Sequence, residues 1–272
     1  MIFFASKEKT EDLLNQAMSF MEKRQPKSAI PLFKKIVKQD PKNIDALYNQ
    51  GLALSQLRKY QDAITCFDKV LEIDPKYVAA INNRGIALAE LGNTNDAFEY
   101  YNKAIEIDAK YAAAHYNKGV LYDKLLQHEE AIQCLDEALK CDSGNVNTAF
   151  YRGIVLGKMK KHEEALNCFE NIYRKHPKHM DAFFHKGMEL AELGKHDKAL
   201  VIFDKLLQIH EGNVNVIYAM ARSNAAISNI GRALYLLEQA VKKDRKTIKK
   251  WALEDGFFDS LQDEPKFRKL IR

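Results

Sequence analysis

The chain has 272 residues, 46% of them hydrophobic and 29% charged, enough both to bury a core and to face water. No run approaches the roughly 20 apolar residues of a membrane span, and the opening "MIFFASKEKTEDLL" lacks the basic start of a secretory signal. A soluble cytoplasmic protein with no membrane partner is expected. The formal net charge of +5 is uneven, with ten Lys/Arg against six Asp/Glu from residue 241 onward and a nearly neutral body before it, which argues against a nucleic-acid-binding body.

Residues 1–9 read as a short N-terminal extension. From residue 10 to 247 the chain repeats itself seven times at a period of 34. Gly51, Gly85, Gly119, Gly153 and Gly187 form one column, and Ala29, Ala63, Ala97, Ala131, Ala165, Ala199 and Ala233 form a second. A third column is bulky: Phe33, Phe67, Tyr101, Leu135, Phe169, Phe203 and Leu237. The second unit shows the plan. "IDALYNQGLALSQL" has apolar residues at helical spacing, "RKYQ" interrupts it, and "DAITCFDKVLEI" resumes it. "DPK" then ends the second helix, because proline cannot continue it. Pro41, Pro75 and Pro177 close three of the units in this way. The small columns let paired helices approach closely, and the bulky column is expected to fill the space between pairs.

This pattern resembles the tetratricopeptide repeat, with its 34-residue period and its small residue, alanine, aromatic and proline at these offsets. The resemblance covers residues 10–247 without an insertion. It implies an all-α fold, a right-handed superhelical solenoid of antiparallel helix pairs. The end units depart from the pattern, with Ala17 and Pro26 in the first, and Ala221 and no closing proline in the seventh, as expected where a solenoid meets water. Residues 248–272 form a C-terminal capping segment that begins like another first helix, with Trp251 in a core column. Phe257, Phe258, Leu261, Phe267 and Leu270 are available to cover the last repeat. The alternative is a docking arm for another subunit.

Catalysis finds little support. The glycines are nearly all absorbed by the repeat and its turns, and neither GxGxxG nor GxxxxGK[ST] occurs. Cys66, Cys134 and Cys168 share one column, a repeat apart and too distant for disulfides. His128, His162 and His196 share another, at the turn into the second helix. His176 and His179 lie close together, but no cysteine or carboxylate pair completes a metal set with the usual spacing. Most carboxylates read as solvated faces, with no nucleophile–base pair among them. No enzyme activity, metal or cofactor is expected.

The resemblance implies that first helices line a concave groove. One column there reads Asn15, Asn49, Asn83, Asn117, Tyr151, His185 and Ala219. An amide offers both a donor and an acceptor, so two readings stay open: a grip on a peptide backbone, or packing between repeats. The preceding column holds Leu14, Tyr48, Asn82, Tyr116, Phe150, Phe184 and Tyr218. One turn beyond the asparagine's neighbour lie Met18, Leu52, Ile86, Val120, Ile154, Met188 and Arg222. Together these columns form an aromatic and aliphatic stripe, a candidate binding surface.

The expected groove residues are Asn15, Asn49, Asn83, Asn117, Tyr48, Tyr116, Phe150, Tyr151, Phe184 and His185. The family's carboxylate clamp needs lysine and arginine where this chain has Ala79, Asn83, Ala113 and Asn117, so an acidic chaperone C-terminus is a poor ligand. The expected function is a non-catalytic protein–protein interaction scaffold that takes a less charged peptide or amphipathic helix. The alternatives are self-assembly into a homo-oligomer, through the apolar groove and C-terminal arm, and nucleic-acid contact through "KKDRKTIKK" (residues 242–250). The second has a plainer reading as a solvated helix end.

Overall fold

The computed structural model describes residues 2–271, with side chains from residue 10 onward. The side chains of the expected extension, residues 1–9, lie outside the described residues. By its contacts the chain divides into two compact units, Met1–Gly144 and Asn145–Arg272.

The first unit holds four helix pairs. They are α1 (Ile2–Glu22) with α2 (Pro26–Gln39), α3 (Ile44–Gln56) with α4 (Tyr60–Ile73), α5 (Val78–Glu90) with α6 (Thr94–Ile107), and α7 (Ala112–Lys124) with α8 (His128–Cys141). The second unit holds three more pairs and a closing segment. Its pairs are α9 (Val146–Lys158) with α10 (His162–Lys175), α11 (Met180–Glu192) with α12 (His196–Ile209), and α13 (Val214–Ala226) with α14 (Ile230–Lys243). Helix α15 (Arg245–Glu254), a 3-10 turn (Gly256–Leu261) and α16 (Pro265–Ile271) follow. Within each unit, every helix packs on the next. Among the described residues the secondary structure is all helical, and within each unit the helix pairs stack in chain order as a repeat solenoid.

Each pair closes around one contact. All seven alanines of the second column are completely buried, and the bulky column is buried throughout. The bulky ring lies within its own pair, over its own glycine. A Cβ added at Gly51 would sit 2.5 Å from Phe67 Cε1, and one at Gly187 would sit 2.6 Å from Phe203 Cε1. The bulky column therefore fills the inside of the five pairs that carry the glycine, where the expectation placed it between pairs, although Phe169 also reaches the next pair at His185. Glycine is required because a methyl group would overlap the ring. Where the partner is the smaller Leu135, the gap at Gly119 widens to 3.1 Å.

Two further columns at the same period shape the turns. Arg24, Arg58, Gly92, Leu126, Lys160, Gly194 and Ser228 all have positive φ at the turn inside the pair. Only two of these seven are glycines, so the turn geometry prevails over the residue's preference at the other five. Between pairs in the first unit, Asp40, Asp74 and Asp108 each accept a backbone N–H two residues on. These bonds tighten the connection and aim the next helix. Asn43 and Asn145 then cap α3 and α9, accepting from Ala46 N and Thr148 N at 3.0 Å, and so satisfy donors left open at the helix start.

The C-terminal segment covers its own chain. Phe258, Leu261 and Phe267 are completely buried in one core cluster with α13 and α14. Trp251 departs from expectation: it sits in a core column by spacing yet is 39% exposed.

Candidate partner-binding face

In the first unit, the first-helix columns are joined across repeats by hydrogen bonds. Asn83 Nδ2 donates to the Tyr48 hydroxyl at 2.9 Å and to Ala79 O, one turn back, at 2.8 Å. Asn117 Nδ2 donates to Asn82 Oδ1 at 2.9 Å. Both inter-repeat bonds span 35 positions, so the asparagine of one repeat meets the residue before the asparagine of the previous one. Asn49 Nδ2 donates to Asp45 O of its own helix at 2.8 Å, and Asn15 is exposed on α1.

Repeat packing thus engages the amide donors of Asn83 and Asn117, and its own helix that of Asn49, while the Oδ1 atoms of all three remain as acceptors on a half-buried face. The Tyr48 ring lies tilted against Tyr77, with centroids 5.3 Å apart, and burial raises its hydroxyl pKa to about 12. Tyr116 is half-buried on α7, and burial raises its hydroxyl too.

In the second unit the same 35-position joint is aromatic. Phe150 meets His185 edge-on, with ring centroids 5.4 Å apart. His185 also stacks on Phe169 at 5.2 Å and abuts Phe184 at 5.5 Å. Burial among these rings lowers the His185 pKa below its ordinary value, with Asp181 pulling weakly the other way. The ring is therefore neutral at neutral pH. Tyr151 and Met188 are half-buried on this face.

Some features were not readable from the sequence. Arg222 replaces the aliphatic residue of its column, and it pins the C-terminal segment. Its Nη2 bonds Glu192 Oε1 at 2.8 Å, and its guanidinium lies 4.4 Å over the Phe257 ring. Its Nε lies 2.6 Å from Asp255 Oδ2, an ion pair that is not an aligned hydrogen bond. Tyr218 donates its hydroxyl to the same Asp255 oxygen at 2.9 Å.

Two carboxylates expected on solvated faces are instead buried against the histidine column. Asp123 Oδ1 is 3.0 Å from His128 Nδ1, and Glu189 Oε2 is 2.7 Å from His162 Nδ1. Gly157 makes room for the second pair, since a Cβ there would lie 2.8 Å from Glu189 Oε1. Desolvation raises the Glu189 pKa despite its histidine partner. His179, weighed above as a metal ligand, accepts from Ala182 N at 3.1 Å and caps α11.

Stacked helix pairs with a half-buried polar and aromatic first-helix face define a repeat scaffold for protein–protein interaction. Models of the tetratricopeptide repeat match residues 13–43, 44–77, 78–111, 112–145 and 152–214, and the chain belongs to that family. Among solved structures, a tetratricopeptide repeat protein from Parabacteroides merdae ATCC 43184 is 21% identical, covering 89% of this chain and 97% of its own, with TM-score 0.63. PilF of Pseudomonas aeruginosa is 22% identical, covering 78% and 97%, with TM-score 0.65. YrrB, described as a TPR protein with an unusual peptide-binding site, is 25% identical, covering 70% and 98%, with TM-score 0.58. No curated protein matches the chain by sequence. No helix among the described residues is long and apolar enough to cross a membrane.

Proposed function

We propose that the first-helix face takes up a segment of a protein partner, extended or helical, and that the chain acts as a non-catalytic scaffold. One observation carries this reading. The half-buried first-helix columns combine apolar side chains with amide oxygens that repeat packing leaves as acceptors. Asn49, Asn83 and Asn117 are read as acceptors for peptide N–H groups in the first unit. Phe150, Tyr151, Phe184 and His185 are read as apolar anchors in the second. The face is weakly charged in these columns, which favours a partly apolar ligand over an acidic tail. YrrB, a relative with a peptide-binding site, adds support. The burial of Phe258, Leu261 and Phe267 in their own chain disfavours the C-terminal arm as a self-assembly device.

The test is selection of displayed peptides against the full chain, followed by binding measurements with Tyr151→Ala and Met188→Lys. Selected peptides are expected to lose at least about 10-fold in affinity for each variant. Peptides that bind both variants as well as the native chain would place recognition elsewhere.

A further inference from the structure

A second surface lies at the end of the second unit, on elements the groove does not use. Residues 242–250 carry Lys242, Lys243, Arg245, Lys246, Lys249 and Lys250 against a single acid, Asp244. That acid is engaged as the cap of α15, where it accepts from Thr247 N at 3.1 Å. Helix α16 packs on both α14 and α15 and brings Lys266 and Lys269 to the same end. Glu238 lies between Lys242 and Lys266, 2.9 Å from each, and Asp263 pairs with Arg268. Glu254, exposed at the end of α15, is the one acid on that helix facing the lysines.

The orientation of α15 sharpens the pattern. Ile248 and Ala252 are completely buried and fix its inner side. Helical spacing then places Lys246, Lys250 and Leu253 together on the outer side. Leu253 is 55% exposed there, and Trp251 is 39% exposed on the flank. A basic helix face that also carries an exposed aliphatic side chain matches a surface that offers both negative charge and an apolar layer.

We propose that this end of the second unit docks on the anionic surface of a lipid bilayer. Lys246 and Lys250 meet the headgroups, and Leu253, on the same face, reaches the acyl boundary. A nucleic acid fits less well, because five of the six cations in residues 242–250 are lysine, without the planar fork that arginine brings to phosphates, and because phosphate backbones offer no counterpart to Leu253. Such docking departs from the expectation of no membrane partner, which rested on the absence of a spanning segment. Docking on the surface requires none.

Trp251 is the one tryptophan of the chain, so its emission reports this surface alone. The full chain should sediment with vesicles of phosphatidylcholine mixed with phosphatidylserine, and not with phosphatidylcholine alone. Its emission should change on binding, and binding should weaken as salt rises. The double variant K246E/K250E, checked for native helicity by circular dichroism, should bind at least about 10-fold more weakly. L253S, which alters an exposed side chain, should also bind more weakly. Failure to bind the mixed vesicles at low ionic strength would overturn the proposal, as would equal binding by K246E/K250E. Binding to polyuridylate without binding to vesicles would overturn it in favour of a nucleic-acid site.

Discussion

The two units use the same backbone register to join successive repeats, yet they close it with different chemistry. In the first, Tyr48 with Asn83 and Asn82 with Asn117 make directional hydrogen bonds. In the second, Phe150 and His185 meet as rings within a cluster of Phe169 and Phe184. The register belongs to the repeat, because the packing of ring over glycine recurs in both units, at Gly51 and Gly85 in the first and at Gly153 and Gly187 in the second. The joint between pairs is free to vary, so a binding surface can change its character along one scaffold without disturbing the fold.

Breaking the aromatic joint should have the largest effect. Phe150→Ala removes contacts to Phe169, His179 and His185, and should cost about 2 to 3 kcal/mol, less than a fully buried phenylalanine because Phe150 is half-buried. Asn117→Ala leaves the buried Asn82 oxygen without its donor and should cost about 1 to 2 kcal/mol. Urea unfolding of the two variants checks the order. Equal losses would mean that the two joints are energetically alike.

The joints should also differ in their response to pH, with a smaller effect. His185 in the folded chain binds its proton more weakly than the ordinary 6.5. Its contribution is therefore complete above about pH 6.5 and is lost as pH falls from there through the lower folded value. Tyr48 shifts the opposite way, from 10.0 to about 12. Its contribution is complete below pH 10 and is lost as pH rises toward 12. Amide hydrogen exchange should accordingly show the second unit loosening first in acid. Replacing His185 with phenylalanine should remove that acid sensitivity, and a second unit unaffected by both changes would refute the assignment.

The period, the helix pairs and the small and bulky columns could all be read from residue spacing, because they are demanded at every repeat. The joints could not, although both partners stood in columns that drew attention. Asn83 and Asn117 each have two plausible partners at 34 and 35 positions, and only the offset of the stacked helices selects the latter. Arg222 looked like a break in an aliphatic column because its partners, Glu192, Asp255 and Phe257, lie in other elements. The buried carboxylate of Glu189 was hidden for the same reason. Its one local sign was Gly157, a glycine that the repeat itself does not require. At the turns, Gly92 and Gly194 announced a left-handed residue, while Leu126 adopts one without any sequence signal.

The most direct test of the account is to map a selected peptide onto the full chain by residue-resolved NMR. The account predicts shifts concentrated on first helices, at Tyr48, Asn83, Tyr116 and Asn117 for a peptide taken up by the first unit, or at Phe150, Tyr151, Phe184 and His185 for one taken up by the second. Shifts confined to exposed second-helix residues such as Val201 and Tyr235 would contradict it.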